Sequence, residues 1–296
     1  MSQSTLQIGA VSAGRRFNIR RLAFAAIALL FADAAAQASV SVNTGSLGAA
    51  ANGTNANSVT SGTGAVTAGG DLSAVYDGLA GTNTTIPFQS GLNPASGSPF
   101  SVEFWAQPTN SDNDDAPVSN RVASGNRSGW VFFQRAAATG WNFRMYNGVG
   151  SGLGWDLTGG AAPLNAWSHV VATWDGSAAK LFVNGALADS TNDAAATGVY
   201  NASSSAVFTV ASTDTGSPYA GSVDEVAFYG SALTPAQILN HFNAVSSPNA
   251  GAYFSLIQSD GALLQLSNNN VPEPSAGMLA LGAGGSALLR RRVVRR

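Results

Sequence analysis

Residues 167–190 constrain the fold more than any other part of the chain, because they contain two hairpin signals in succession. Residues 167–174 are rich in β-branched and aromatic side chains, and neither alternating face is strongly polar, which predicts a strand covered on both sides. Asp175-Gly176-Ser177 and Asn184-Gly185 supply tight turns, with glycine available for positive φ. The segment therefore predicts three antiparallel strands, which become stable when one face packs against another sheet.

Short apolar runs of the same kind recur from residue 72 onward, separated by turns rich in Gly, Asn and Asp. This spacing is typical of an all-β fold, a two-sheet antiparallel jelly-roll sandwich. One short helix is predicted at its rim: Thr234 caps it, Pro235 occupies the first helical position and Gln237 completes a capping box. Ile238, Leu239 and Phe242 form the predicted apolar stripe of this helix.

The pattern divides the chain into five segments. We predict a signal peptide at 1–38, a lead-in at 39–71, a sandwich domain at 72–245, a linker at 246–270 and a sorting segment at 271–296. Within the linker, residues 253–258 and 263–266 are predicted to form a hairpin around Ser259-Asp260-Gly261.

The composition limits the classes of partner that the sandwich is expected to bind. No cysteine is present, which excludes a disulfide framework and a cysteine-based metal site. Between residues 39 and 289, five basic side chains face fifteen acidic ones, a net charge of −10. This charge argues against nucleic acid or anionic lipid as the partner of the body, and suits divalent cations or neutral glycans.

Both ends of the chain carry targeting features. At the N-terminus, basic residues up to Arg21 precede an apolar stretch at 22–31, and Ala36-Gln37-Ala38 provides an A-x-A cleavage site. At the C-terminus, Pro272-Glu273-Pro274 is followed by an apolar segment at 276–289 and then by arginines. That segment predicts a hydrophobic helix shorter than the ~20 residues that span a bilayer.

The C-terminal segment resembles the PEP-CTERM sorting signal, which has a Pro-Glu-Pro motif, one hydrophobic segment and a basic terminus in this order. The resemblance implies recognition and cleavage near Pro272-Glu273-Pro274 by processing machinery of the inner membrane, an exosortase. It also implies a transient membrane stage followed by delivery to the cell surface or the exopolysaccharide matrix.

Residues 75–244 resemble laminin-G-like domains, which have the concanavalin A-like lectin fold and include pentraxin-like domains. The matching pieces occur in the family's order: Tyr76-Asp77-Gly78, Phe100-Ser101-Val102-Glu103-Phe104-Trp105, Trp167-Ser168-His169-Val170, Leu181-Phe182-Val183-Asn184-Gly185 and Gly221-Ser222-Val223-Asp224-Glu225-Val226-Ala227-Phe228-Tyr229. The resemblance implies a jelly roll of roughly a dozen strands. Such domains often bind Ca²⁺ at the sandwich edge, and glycans or proteins through their loops.

Two aspartates match the family pattern as calcium ligands, Asp77 before its glycine and Asp224 in the strand motif. Calcium requires several oxygen ligands, so backbone carbonyls would complete the shell. The alternative is that both carboxylates only satisfy turns and neighbouring backbone groups. Asp112, Asp114 and Asp115 lack the glycine and the distal glutamate of an EF-hand, which favours a solvated loop.

Catalysis has weak support in the sequence. The chain has three glutamates, Glu103, Glu225 and Glu273, and residues 222–225 lack the first glutamate of the catalytic strand that glycosidases of this fold usually present. The two histidines, His169 and His241, are expected to be structural, and no nucleophile motif accompanies them. We therefore predict a protein that is not an enzyme.

Exposed aromatic rings can stack on sugars, and Trp155, between Gly154 and Asp156, is our candidate for glycan stacking; core packing is the alternative. Taken together, the sequence predicts an exported surface or matrix protein whose sandwich is a binding or adhesion module for carbohydrate. Two alternatives stay open, a structural matrix protein without a specific ligand and a glycoside hydrolase of the same fold.

Overall fold

The protein folds into two packed antiparallel sheets with two helices. The computed structural model describes residues 40–66, 70–111, 114–135, 140–247 and 250–267, all within one unit of the chain. The predicted signal peptide and the sorting segment, including Pro272, Glu273 and Pro274, lie outside these residues. No helix in the described ranges is long and apolar enough to cross a membrane.

The described residues form sixteen strands. These are β1 Val40–Asn43, β2 Gly53–Asn55, β3 Thr60–Thr63, β4 Leu72–Asp77, β5 Thr84–Ile86, β6 Phe100–Pro108, β7 Val118–Val122, β8 Ser128–Gln134, β9 Trp141–Tyr146, β10 Leu153–Gly159, β11 Ser168–Trp174, β12 Ala179–Val183, β13 Ala186–Asp189, β14 Phe208–Val210, β15 Ala220–Tyr229 and β16 Ala262–Ser267. The two helices are α1 Pro235–Ala244 and α2 Ala250–Ser259. The all-β antiparallel sandwich is thus confirmed.

Hydrogen bonding defines the two sheets. Sheet A has the order β10-β9-β8-β7-β14-β5-β2-β1, and sheet B has the order β16-β15-β6-β11-β12-β13. The first half of β15 pairs with β4, which in turn pairs with β3. Strand β1 belongs to both sheets, because Val40 and Ser41 pair with β2 whereas Val42 and Asn43 pair with β16. The sandwich is therefore closed along this edge.

The main core lies between the two sheets. It is built from large aromatic side chains on the inner faces, including Phe100, Phe104, Trp130, Phe132, Trp141, Phe143 and Phe228. Phe104 and Phe132 meet edge to face across the sheets, with ring centroids 4.9 Å apart. Alternation along each strand directs the other side chains to the outer faces.

A second cluster covers the outer face of sheet B. Helices α1 and α2 pack there through Ile238, Tyr253 and Ile257 against Trp105 and Val171. All seven residues of β11 are consequently buried, which confirms the strand covered on both sides. The predicted turns are also present, since Asn184 and Gly185 both have positive φ, 52° and 76°.

Helix α1 begins as predicted, with both hydrogen bonds of the capping box between Thr234 and Gln237 and with Pro235 in the first turn. Its predicted stripe is wrong at Leu239, which is 45% exposed, whereas His241 is buried.

The second helix is a correction to the sequence analysis, which predicted a single helix and a strand at 253–258. Tyr253 and Ile257 lie one helical turn apart and are buried on the same stripe of the helix. The apolar residues of this segment also alternate, and this alternation led to the prediction of a strand. The lead-in and linker segments also contribute to the sandwich, because β1 pairs with β16. Residues 263–266 do form a strand, which lies in sheet B.

Candidate functional site

Three buried carboxylates from distant parts of the sequence meet beside sheet B. Asp71 precedes β4, and Asp224 and Glu225 are consecutive in β15; their carboxylate oxygens lie within 4.8 Å of one another. The residues are only 6%, 0% and 1% exposed, respectively. The β3–β4 hairpin reaches the same place, since the amide of Ala65 donates to Asp224 Oδ2 at 2.7 Å. We call these residues the carboxylate cluster.

A β-bulge in β15 brings the two consecutive acidic residues to the cluster. Asp224 pairs with Trp105, but the next pair is Ala227 with Glu103, so β15 has one extra residue at this point. Glu225 lies in the bulge with φ of +47°, a left-handed conformation that is uncommon outside glycine. The bulge interrupts alternation, so both carboxylates reach one site instead of opposite faces of the sheet.

The carboxylate cluster has oxygen atoms that the described protein does not satisfy. Both oxygens of Asp71, Oδ1 of Asp224 and both oxygens of Glu225 accept no hydrogen bond of good geometry within the described residues. The amides of Val66 and Leu72 and the side chain of Gln265 lie close enough only to offset part of the effect of burial on the pKa values of Asp71 and Glu225. Burial raises the pKa of Asp71. It raises the pKa values of Asp224 and Glu225 well above their usual range, and the charges of the neighbouring carboxylates add to the effect. Charged groups buried in this way require a counterion or a proton.

The cluster fits the calcium ion that the fold family implies. Its donors are all oxygens, which suit hard divalent cations rather than zinc or copper. Gly64 leaves room beside the carboxylates, because a Cβ atom there would come within 2.9 Å of Asp224 Oδ2. The residues that would hold the ion are Asp71, Asp224 and Glu225, and the bound ion would neutralise their charges.

The structure does not bring Asp77, the other predicted ligand, to this cluster. Asp77 pairs with Ala220, four residues before Asp224 in the same strand, which corresponds to about 13 Å along β15. Its side chain instead accepts a hydrogen bond from the amide of Leu79 at 2.9 Å. Asp77 therefore satisfies a backbone amide in a turn, which was the alternative expected for both aspartates.

A further buried carboxylate, Glu103, lies apart from this cluster, between sheet B and the helices. Its Oε1 is 2.8 Å from His169 Nε2 and accepts from the Tyr253 hydroxyl at 3.2 Å. Its Oε2 accepts from the Tyr229 hydroxyl and is within 2.9 Å of His241 Nδ1. Both histidines are fully buried, so their contacts support the structural role that was expected of them.

The outer face of sheet A has a different character. Strand pairing places Arg144 opposite Val131 and Asp156, and Arg121 opposite Gly129. These residues alternate with the core residues of the same strands and therefore share the outer face. Helices α1 and α2 pack on sheet B, on the other side of the sandwich.

Two aromatic rings on this outer face are overlaid by guanidinium groups. Arg121, Arg135 and Arg144 lie 5.5–5.6 Å from the centroid of the Phe133 ring. Arg121 and Arg127 each lie 5.8 Å from the centroid of Tyr146. We call Arg121, Arg127, Arg135 and Arg144, with these two rings, the arginine face.

Trp155 lies on the inner side of sheet A, since it pairs with the core residue Met145. Its ring meets Trp174 with centroids 6.0 Å apart and is only partly exposed. Glycan stacking on Trp155 stays a prediction, with core packing as its principal contact. Asp114, from the acidic loop, is exposed and forms an ion pair with Arg135.

The fold and these sites define a laminin-G-like β-sandwich with one face covered by helices. The chain belongs to the concanavalin A-like lectin/glucanases superfamily: a laminin-G family model of this superfamily matches residues 80–239, just over half of the chain. No curated protein matches the sequence.

Two solved structures to which the chain is similar are distant from it in sequence. The binding domain of Paraclostridial Mosquitocidal Protein 1 is similar with a TM-score of 0.51 and 15% identity, covering 69% of this chain and 52% of that one. Domain 4 of AbnA, a GH43 extracellular arabinanase from Geobacillus stearothermophilus solved with arabinotriose, has a TM-score of 0.42 and 21% identity, over 62% and 81% of the two chains. The chain thus spans about half the length of the toxin domain.

Proposed function

We propose that the protein is an exported, non-enzymatic carbohydrate-binding module of the cell surface or extracellular matrix. The observation that carries this proposal is the difference between the two outer faces of the sandwich. Sheet B is covered by α1 and α2, whereas the outer face of β7–β10 in sheet A lies away from these helices and carries arginine, aspartate and asparagine side chains, of which Arg144 is partly exposed. A rigid sheet that carries polar side chains is a suitable surface for an extended glycan.

The positions of the carboxylates support binding rather than hydrolysis. Glycosidases usually need two carboxyl groups flanking an accessible sugar. In the described ranges, Glu103 and Glu225 are both buried, and Glu103 is surrounded by hydrogen-bond donors. On the outer face of sheet A, Asp156 is engaged by Arg144 at 3.1 Å.

We further propose that the carboxylate cluster holds a calcium ion, with Asp71 and Glu225 in place of Asp77 beside Asp224. The unsatisfied buried oxygens support this assignment. The ion would link the β3–β4 hairpin to β15, and its role would be structural rather than catalytic.

Export and processing complete the proposal. The sequence features at 1–38 and 271–296 support secretion, a transient stage in the inner membrane and cleavage near Pro272, Glu273 and Pro274. Intact mass spectrometry of the protein from its native host tests this part. A mass corresponding to residues ~39 to ~271 is expected, and a mass that includes the C-terminal arginines would refute cleavage.

Binding is tested with the purified protein on an array of neutral and acidic polysaccharides. Each polysaccharide that binds is then titrated against the protein in solution. Saturable binding to at least one glycan is expected. No binding to any glycan would favour the alternative, a structural matrix protein without a ligand. Release of reducing ends during incubation would instead indicate a glycoside hydrolase.

A further inference from the structure

We infer that the arginine face binds acidic polysaccharide, chains that carry carboxylate or sulfate groups, through the guanidinium groups of Arg127 and Arg144. This inference rests on the proposed carbohydrate-binding function and specifies the chemical class of the glycan and the surface that binds it.

The positive charge of the body is concentrated at the arginine face. Between residues 39 and 289 the chain has only five basic residues, and four of them form the arginine face. The fifth, Lys180, is exposed on β12 of sheet B. Residues 39–289, whose net charge is −10, therefore have four of their five basic side chains on one side of one sheet.

The four arginines differ in how many of their N–H donors are already engaged. Arg121 is largely engaged, because four of its five N–H donors go to Asp214, Tyr146, Thr213 and Thr215. Arg144 donates only from Nε, to Asp156 Oδ1 at 3.1 Å. Within the described residues its two terminal nitrogens have no acceptor.

Arg127 is the least engaged of the four arginines. Its guanidinium lies over the Tyr146 ring and has no carboxylate partner in the described part of the chain. The other three arginines each pair with one aspartate, so Arg127 is the guanidinium of the arginine face that has no carboxylate within 4.0 Å among the described residues. Guanidinium groups match carboxylate and sulfate oxygens through paired N–H donors.

The groups exposed on the arginine face favour acidic glycans over neutral ones. Neutral sugars typically stack on exposed aromatic faces, but Phe133 and Tyr146 are only 4% and 1% exposed. Guanidinium groups cover both rings, so the surface offers N–H donors rather than an aromatic platform. Stacking on the rings also holds the guanidinium planes in place, which lowers the entropy lost on binding.

The charge of the whole body argues against nucleic acid on the same face. Binding to a phosphate backbone depends on the summed positive charge of the protein, which is lacking here. The negative body repels a sparsely charged acidic polysaccharide less strongly than a phosphate backbone, and Arg127 and the two terminal nitrogens of Arg144 offer such a chain N–H donors.

The test measures binding of the full-length protein to polygalacturonate, sparsely sulfated dextran and uncharged dextran by isothermal titration calorimetry. The variants are Arg127→Gln, Arg144→Gln and Arg144→Lys, and Lys180→Gln is the control with the same charge change on the other sheet. Circular dichroism confirms that each variant is folded.

We expect saturable binding to at least one of the two acidic polymers, weakened by salt, and none to dextran. Each glutamine variant should weaken binding about 10- to 100-fold, as expected for loss of a charged hydrogen bond. Arg144→Lys should weaken it partly, and Lys180→Gln should leave it unchanged.

Three outcomes would overturn the inference. Binding to dextran or other neutral glycans alone would leave the carbohydrate-binding function in place and refute the acidic class. Binding to acidic polymer that Lys180→Gln weakens as much as Arg144→Gln would refute the site. Absence of binding to any polysaccharide would refute both the inference and the proposed function.

Discussion

Replacing Glu103 with alanine should destabilise the protein strongly, because this one carboxylate connects both helices to sheet B. His241 is in α1, Tyr253 is in α2, and His169 and Tyr229 are in sheet B. All four contact Glu103 at 2.8–3.2 Å. The carboxylate itself is fully buried, so water does not replace these contacts without entering the core.

The expected cost follows from the groups that the substitution leaves without a partner. A buried donor without an acceptor costs about 1–3 kcal/mol, and removing one member of a buried charge pair costs about 3–5 kcal/mol. Relaxation of the tyrosine hydroxyls reduces the sum, which leaves about 4 kcal/mol for Glu103→Ala. Glu103→Gln retains the shape and one acceptor, and should cost about 2 kcal/mol.

Urea unfolding at pH 7, followed by fluorescence of the buried tryptophans, measures both free energies of unfolding. Lys180→Ala, at an exposed position of sheet B, is the control and should change the free energy by less than about 0.5 kcal/mol. A loss below about 1 kcal/mol for Glu103→Ala would refute the reasoning, because it would mean that the four contacts contribute almost nothing.

The same network sets a pH window. Burial alone would raise the pKa of Glu103, but His169 and His241 lower it below its usual range; this contribution is present above the unfolded pKa of about 4.3 and is lost as the pH falls below it. Burial alone would lower the pKa of His241, but Glu103 and Asp260 raise it. That contribution is complete below about pH 6.5 and is lost as the pH rises through the raised pKa.

Two further predictions concern the cation and the helix cap. Calcium at 100 times its dissociation constant should stabilise the protein by about 2.7 kcal/mol; Asp224→Ala should abolish this response and Asp77→Ala should retain it, and a melting temperature that is equal in calcium and in EDTA would exclude the site. Thr234→Ala should cost about 1 kcal/mol in urea unfolding, because it removes the capping bond to the Gln237 amide. Thr234→Ser should restore most of this loss, and equal stability of all three proteins would show that the cap is not stabilising.

Local signals in the sequence were sufficient where the structure depends on neighbours along the chain. The Asn184-Gly185 turn and the Thr234 cap are both present as predicted, since each depends on residues within one turn. The same kind of reasoning failed at Tyr253, because a short apolar run satisfies helical and strand spacing equally well. The preference for a helix is decided by packing against sheet B, which no local pattern contains.

Sites that depend on strand pairing could not be predicted from the sequence. Asp71 and Asp224 meet only because β4 and β3 pair beside β15. The bulge that brings Glu225 to them contains no glycine, so the sequence does not indicate it.

The arginine face could not be predicted from the sequence for the same reason. Arg121, Arg127, Arg135 and Arg144 are separated by six to nine residues, a spacing with no helical or strand periodicity. Antiparallel pairing of β7, β8 and β9 converts this irregular spacing into neighbouring positions. Exposure of the Phe133 and Tyr146 rings on an outer face would be unfavourable, and the guanidinium groups cover both rings, while the terminal nitrogens of Arg144 keep no acceptor among the described residues. The same stacking that shields the rings therefore orients the donors, so that loss of Arg144 should impair binding more than it impairs folding.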